Sequence, residues 1–360
     1  MILATRLASR PATHRARGLV SGMACAAVLL STGCSVTASR GTDVAGSSDP
    51  PAAPAATGAP TLGATPGGTS SAPPSAPPSA SPSATPSTTP TATPVAATLP
   101  RGGREIFPRY RLVGFAGNPG AEEFGKLGIG DLDDRARDIE KQAKPYARKR
   151  EILPVFELIA TVAHRTPGAD GMFRSRASND LIRTYLKAAR RAKALLLLNI
   201  QPGRADFLPE VKAYKRWLRK PDVGIALDPE WAVDPGQVPG QSYGNTTGKE
   251  LDEVASYLAE VIAEYDLPEK AMVFHEVADS VVREESKLRS HDGVVPIKSV
   301  DGIGSPGAKR TTWRALTDDL PKNVHPGFKL FYVEDVEFGP LMTPREVLRL
   351  KPTPEYVLYE

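Results

Sequence analysis

The chain has 360 residues, a formal net charge of +4 and two cysteines, Cys25 and Cys34. Because no cysteine follows Cys34, disulfides, thiol chemistry and cysteine-based metal sites are excluded from the rest of the chain. The small positive excess forms no basic stripe with interleaved aromatic residues, so we expect no nucleic-acid partner.

The first 34 residues have the composition of an export signal. Several arginines precede an apolar stretch over Gly18–Leu30, which is too short to cross a bilayer. The stretch ends in Ser31-Thr32-Gly33-Cys34, which resembles a bacterial lipobox with Ser31 where Leu, Val or Ile is usual. The resemblance implies that Cys34 is lipidated and anchors the protein to the extracytoplasmic face of the cell membrane. An ordinary secretory signal peptide is the alternative.

Residues 35–100 consist mainly of Ala, Pro, Ser, Thr and Gly. A segment of this composition cannot bury enough apolar surface to fold, and its prolines keep the backbone extended. We therefore predict a disordered, low-complexity linker that tethers the folded part of the chain to its anchor.

Residues 101–360 alternate between short apolar runs and helical patterns, as parallel α/β folds require. The predicted strands are Arg111–Ala116, one within Ile152–Ala163, Ala194–Ile200, Val223–Asp228, Ala271–Val277, Val294–Val300, Phe328–Val333 and Tyr356–Tyr359. The predicted helices are Asp133–Arg148, Asn179–Ala192, Phe207–Leu218, Gly248–Tyr265, Ser280–Leu288, Ala308–Leu320 and Arg345–Leu350. Eight strands in a block of this length predict a (β/α)8 TIM-type barrel whose chain ends on the eighth strand. The alternative is an open doubly wound sheet, although no Gly-rich GxGxxG turn follows the first strand.

Nearly every predicted strand carries an acid, amide, His or Tyr near its carboxyl end, where barrels of this type build their sites. Glu157 and Tyr356 belong to this pattern. The residues that we predict to bind a substrate are Asn199, Gln201, His275, Asp301, Tyr332 and Tyr359. For His275, which lies in an apolar strand, a core group hydrogen-bonded to a neighbour is the alternative.

The fourth predicted strand ends in two carboxylates, Asp228 and Glu230. Residues i and i+2 of a strand point to the same side, so the two side chains are expected to face one site. Two neighbouring carboxyl groups push their pKa values apart, which general acid/base catalysis requires. Because Asp-Pro is also common in turns, a surface turn is the alternative.

Carboxylates and aromatic residues grouped at the strand ends favour a carbohydrate substrate, because glycosidic bonds are cut by a pair of carboxyl groups that flank the scissile oxygen. Trp231 follows Glu230 directly and is predicted to stack on sugar, with plain packing as its alternative. The segment IALDPEW resembles strand four of barrel glycoside hydrolases that act on cell-wall polymers. Chitinase-type enzymes end this strand in Asp-x-Asp-x-Glu, and Asp228 and Glu230 match the last two members whereas Ala226 replaces the first. Chalaropsis-type muramidases end it in a similar Asp-x-Glu.

The same segment is similar to that of the retaining barrel glycosidases, whose acid/base Glu ends strand four and whose nucleophilic Glu ends strand seven. This resemblance implies those roles for Glu230 and Glu334, although the Asn-Glu pair of that superfamily is Pro229-Glu230 here. Asp228 would orient Glu230 or stabilise an intermediate. The whole block also resembles exported actinobacterial lipoproteins. Together the resemblances imply a glycoside hydrolase acting on cell-wall or other extracellular polysaccharide. The alternative, favoured by Ala226 and Pro229, is a non-catalytic lipoprotein that binds glycan or an envelope partner.

No cofactor and no metal are expected. Barrel amidohydrolases need a His-x-His on strand one and further histidines on strands five and six, whereas these three predicted strands contain only His275. No Walker A sequence occurs, and the loops after strands seven and eight lack the Gly-rich nests that bind phosphate.

Overall fold

The computed structural model describes residues 96–360. The predicted export signal, Cys34 and the predicted linker as far as residue 95 lie outside the described residues. At the beginning of the described part, Leu99 is buried against the barrel, so the folded block includes this residue.

Eight parallel strands close into a barrel. They are β1 (Tyr110–Gly117), β2 (Glu151–Ala163), β3 (Leu195–Ile200), β4 (Val223–Leu227), β5 (Lys270–Glu276), β6 (Val294–Val300), β7 (His325–Leu330) and β8 (Tyr356–Tyr359). Each strand pairs in parallel with the next in sequence, and β1 pairs with both β2 and β8. The predicted (β/α)8 TIM-type barrel is therefore confirmed, and an open doubly wound sheet, which would leave two free edges, is excluded.

Helices occupy most of the connections. They are α1 (Leu132–Ala143), α2 (Asn179–Arg191), α3 (Phe207–Ala213), α4 (Lys215–Leu218), α5 (Gly248–Glu264), α6 (Pro306–Thr317), α7 (Glu334–Glu337) and α8 (Pro344–Val347). Short 3-10 turns cover Glu122–Phe124, Lys126–Gly128, Lys144–Tyr146, Pro229–Trp231 and Glu285–Lys287. Ser178, Thr247 and Ser305 start α2, α5 and α6 by accepting hydrogen bonds from backbone N–H groups of the first turn. Within residues 96–360 no helix combines the length and the apolar character needed to cross a membrane.

The helix predicted over Ser280–Leu288 is wrong. Val282–Arg283 instead forms a short strand that pairs in parallel with Thr246–Thr247. Glu284 then adopts a left-handed backbone with φ of 52°, which an α-helix does not tolerate, and a 3-10 turn follows. The helix predicted over Phe207–Leu218 is divided into α3 and α4 at Tyr214.

The strands are buried on both faces because helices cover the outside and side chains fill the inside. Every residue of β3, Leu-Leu-Leu-Leu-Asn-Ile, is buried. The large apolar cluster lies between the strands and the helices, and a smaller one fills the barrel interior. On the inward face of β1 only a glycine fits at position 114, because a Cβ atom there would lie 2.3 Å from the carbonyl oxygen of Val155.

Candidate active site

Alternate residues of each strand point into the barrel, and this alternation builds the site. An apolar layer fills the interior, with side chains from Leu197, Ala226, Val273, Ile297 and Leu358. Two residues further along the same strands, the inward positions are occupied by Asn199, Asp228, His275, Ser299 and Glu360. A polar layer therefore lies at the carboxyl end of the barrel, directly above an apolar one. This layer, together with Glu157, Gln201, Glu230, Asp301, Lys329 and Tyr356, is called the acidic cluster below.

Glu157, on β2, is fully buried and anchors one side of the acidic cluster. Its Oε1 accepts a hydrogen bond from Asn199 Nδ2 at 3.0 Å and lies 2.8 Å from His275 Nε2. Its Oε2 accepts a hydrogen bond from the Tyr356 hydroxyl at 2.8 Å. Burial alone would raise the pKa of Glu157, but the charge and hydrogen bond of His275, together with Lys329 and Asn199, hold it below the usual value. Glu157 is therefore a buried, ionised carboxylate.

His275, on β5, joins Glu157 to Asp301. The second ring nitrogen, Nδ1, lies 2.8 Å from Asp301 Oδ2. Burial opposes a charge on the imidazole, but Asp301 and Glu157 outweigh it and hold the pKa of His275 well above its usual value. His275 is therefore an imidazolium that donates to a carboxylate on each side.

Asp301 follows β6 and is held ionised by two cations. Its Oδ1 accepts a hydrogen bond from the Ser299 hydroxyl at 2.9 Å, and its Oδ2 accepts one from Lys329 Nζ at 3.1 Å. Burial would raise the pKa of Asp301, but His275 and Lys329 outweigh it and lower the pKa to about 2. Lys329 also lies 2.9 Å from Glu360 Oε2. Burial disfavours its charge, but Asp301 and Glu360 hold the pKa of Lys329 well above its usual value.

Asp228 is buried immediately after β4 and has few partners. Gln201 Nε2 donates to its Oδ2 at a long distance of 3.4 Å, and its Oδ1 is buried with no hydrogen-bond partner. Burial raises the pKa of Asp228, against the opposing charges of His275 and Lys329. Buried polar atoms normally have a hydrogen-bond partner, so this oxygen is available to accept a hydrogen bond from a ligand.

Glu230 lies on the 3-10 turn Pro229–Trp231 and is half-buried, so it reaches the mouth of the barrel. Burial, followed by the negative charges of Asp228 and Asp301, raises the pKa of Glu230 to about 8. A carboxyl group with this pKa holds its proton at neutral pH and is suited to act as a general acid.

The charges within the acidic cluster separate into two sets. Two ionised carboxylates, Glu157 and Asp301, are balanced by two cations, His275 and Lys329. The three remaining carboxyl groups, Asp228, Glu230 and Glu360, all have raised pKa values, with burial as the largest cause. The four ionised groups are therefore balanced in charge, whereas the three remaining carboxyl groups keep their protons to a higher pH than usual.

The structure brings together Asp228, Glu230, Asn199, Gln201, His275 and Asp301, six of the residues predicted to form the site. Trp231 is half-buried beside them on the turn that carries Glu230, and its backbone N–H donates to the Asp228 carbonyl. The side chains of these residues come from four different strand ends, as the barrel prediction requires.

Three other predicted site residues do not join the acidic cluster. Tyr359 belongs to the outer apolar cluster, where its hydroxyl bonds to that of Tyr146, because odd-numbered positions of β8 face the helices. Tyr332 stacks on Tyr359 with the ring centroids 5.1 Å apart. Glu334 begins α7, four residues beyond the end of β7, and takes part in none of the contacts of the cluster. Its assignment as nucleophile stays a prediction.

Lys329 and Glu360 were not predicted as site residues. The predicted strand over Phe328–Val333 places Glu334 at its carboxyl end, whereas β7 ends at Leu330 and the inward polar residue is Lys329, inside the strand. The sequence does contain an indication of this site residue. Lys329 lies between apolar residues of a strand that is buried on both faces, and a buried charge needs a partner of opposite charge. Among residues 96–360 no group of three or more His, Cys, Asp or Glu is arranged to hold a metal ion.

Comparison with known proteins adds no family. The chain matches no protein-family model and no curated protein. The chemistry of the acidic cluster is therefore the basis on which a function is assigned.

Proposed function

We propose that this protein is a glycoside hydrolase in which Glu230 acts as the general acid. The observation that carries the proposal is the pair of neighbouring carboxyl groups at the barrel mouth, Asp228 and Glu230, of which Glu230 has its pKa raised to about 8. Glycosidic bonds are cut by two carboxyl groups, one of which holds a proton at working pH.

The roles follow from the environment of each group. Glu230 donates its proton to the leaving glycosidic oxygen and can afterwards act as base toward water. Asp228, with one unpartnered oxygen, is placed to orient Glu230 or to stabilise the positive charge that develops on the sugar. Asn199, Gln201 and Trp231 lie at the same end of the barrel and would position the sugar. The separation of the carboxyl groups in a complex decides between the retaining and the inverting outcome.

The proposed substrate and location rest on resemblances in the sequence. Lipidation of Cys34 would place the barrel on the extracytoplasmic face of the cell membrane, with the linker allowing it to reach cell-wall or other extracellular polysaccharide. No cofactor is part of this proposal, since acid/base hydrolysis needs only the carboxyl groups and water.

A non-catalytic protein that binds glycan or an envelope partner is the second candidate. Lys329 favours it, because this lysine occupies the inward position of β7, pairs with Asp301 and Glu360, and helps to fill the barrel end with side chains. Two surface pockets, of about 380 and 370 Å³, lie near the opposite end of the barrel. A barrel whose polar residues mainly satisfy one another can keep its fold without catalysing a reaction.

The test compares the purified full-length protein with its Glu230→Gln variant and with Glu337→Gln, an exposed carboxylate on α7 that serves as control. Each is incubated with insoluble cell walls and a panel of polysaccharides, and released reducing ends and co-sedimentation are measured. Release by the unchanged protein and by Glu337→Gln, but not by Glu230→Gln, would support the glycosidase and its acid. Equal co-sedimentation of all three without any release would reject catalysis and favour the binding protein.

A further inference from the structure

A pocket of about 380 Å³ is lined by four arginines. They are Arg111, Arg148, Arg345 and Arg349, and Leu348 and Thr353 complete the lining. Pockets of about 300–1,000 Å³ accommodate small ligands. The lining contains no acidic residue, so the pocket concentrates positive charge.

The pocket lies at the amino ends of the strands. Arg111 is the second residue of β1, and Arg148 lies just before β2 begins. Arg345 belongs to α8 and Arg349 follows it, both ahead of β8. The pocket is therefore at the opposite end of the barrel from the acidic cluster and is independent of the proposed glycosidase.

Within residues 96–360, none of the four arginines forms an ion pair with a carboxylate, whereas their neighbours do. Arg150 pairs with Glu355, and Arg310 pairs with Glu346 at 2.7 Å. The nearby carboxylates are thus already engaged with other arginines. Four guanidinium groups that share one pocket repel one another unless an anion lies between them.

Arg111 is the buried member of the set, with only 7% of its surface exposed. Its Nη1 donates to the Tyr146 carbonyl at 2.6 Å, and its Nε is buried without an acceptor. Burial, followed by the positive charge of Arg150, lowers the pKa of Arg111. A buried guanidinium with an unsatisfied N–H and no ion-pair partner is costly, and an anionic ligand would offset this cost.

The backbone at Arg148 adds a second indication. This residue has a positive φ of 48°, which is uncommon for residues other than Gly, Asn and Asp. Such conformations carry a cost and are concentrated at binding sites, where they direct a side chain. Here the conformation belongs to a residue that lines the pocket.

We propose that the arginine pocket binds a phosphate group. Guanidinium groups bind phosphate oxygens with paired, charge-assisted hydrogen bonds, and a phosphate monoester or diester presents enough oxygens to engage several arginines at once. A single carboxylate would leave most of the four charges unpaired. The phosphate could belong to a soluble phosphorylated compound or to the headgroup of an anionic phospholipid, which share this chemistry.

The test measures binding of inorganic phosphate to the full chain carrying Cys34→Ala, which prevents lipidation, by titration calorimetry at low ionic strength. The test variant adds Arg345→Gln and Arg349→Gln, both of which are exposed, so the fold is expected to tolerate them. The matched control adds Arg283→Gln and Arg314→Gln, which remove the same charge at exposed positions outside the pocket. We expect saturable binding that is about tenfold weaker in the test variant and unchanged in the control.

Co-sedimentation with vesicles distinguishes the two sources of phosphate. Binding to phosphatidylglycerol vesicles, but not to phosphatidylcholine vesicles, that is lost in the test variant and displaced by inorganic phosphate would support the headgroup. Phosphate binding without vesicle binding would support a soluble phosphorylated ligand. The proposal is overturned if inorganic phosphate does not bind saturably, if the test variant binds it as tightly as the unchanged chain, or if the control loses binding equally.

Discussion

Replacing Glu230 by Gln should stabilise the protein, and increasingly so as the pH rises. In the folded state the carboxyl group keeps its proton up to a pH of about 8, whereas its ordinary value is 4.5. The folded state therefore binds more protons than the unfolded state between these values, and the free energy of unfolding falls as pH rises through this window. Glutamine has nearly the same shape and carries no charge, so the variant escapes this loss.

The magnitude follows from the shift. At about 1.4 kcal/mol per pH unit, the full difference between the two values corresponds to roughly 5 kcal/mol. Because Glu230 is only half-buried, water screens part of this cost, and we expect the variant to gain roughly 2 kcal/mol at pH 9 and almost nothing at pH 4.

The assay is urea denaturation of the full-length protein, Glu230→Gln and Glu337→Gln at a series of pH values between those limits. Glu337 is exposed, so its variant should follow the unchanged protein across the series. A constant difference between Glu230→Gln and the unchanged protein at every pH would refute the argument, because it would show that Glu230 ionises at its ordinary value. A loss of stability that grows with pH would refute it as well.

Three further substitutions test other parts of the molecule. His275→Gln removes the cation between Glu157 and Asp301 and should lower the free energy of unfolding by roughly 3–5 kcal/mol, measured by urea denaturation at neutral pH. An unchanged urea midpoint would show that these two carboxylates do not need the positive charge. Burial lowers the pKa of Lys270 to about 7 from an ordinary 10.5, so the unchanged protein should gain stability relative to Lys270→Met as pH rises between these values. A stability difference that does not change with pH would contradict this. If Glu334 is the nucleophile of a retaining enzyme, Glu334→Gln should lose release of reducing ends by several orders of magnitude, whereas nearly full release would remove it from the mechanism.

The barrel could be predicted because its strands are parallel and buried on both faces. Such strands appear in a sequence as continuous apolar runs, as in the residues of β3, and their separation by helical patterns indicates the topology. Val294–Val300 and Tyr356–Tyr359 coincide with β6 and β8 to the residue. The helix predicted over Ser280–Leu288 is wrong because Val282–Arg283 pairs with Thr246–Thr247, a contact between segments far apart in the sequence that no local pattern records.

The site could be predicted only in part, because strand ends are the least certain feature of a sequence and the side-chain period of a strand is two. An error of one residue moves a side chain from the barrel interior to the helix layer. For β8 the bounds were predicted correctly but the inward face was not, since Tyr359 faces Tyr146 outside the barrel and Glu360 faces Lys329 inside it. Asp228 was predictable because it directly follows an apolar run. In the structure it takes the inward position two residues after Ala226, which faces the barrel interior.

The arrangement of charges gives the strongest reason to expect chemistry at this end of the barrel. If the polar layer served the fold alone, each buried carboxylate would be expected to have a cation or several donors, as Asp301 has. Asp228 instead keeps one oxygen without a partner, and Glu230 is placed so that neighbouring negative charges raise its pKa. Neither feature stabilises the folded state, and both suit a group that must hold a proton and then release it to a substrate. In the proposed mechanism, the negative charge of Asp301, which His275 and Lys329 hold ionised, helps to keep Glu230 protonated, whereas the charge of Lys329 acts on Glu230 in the opposite direction.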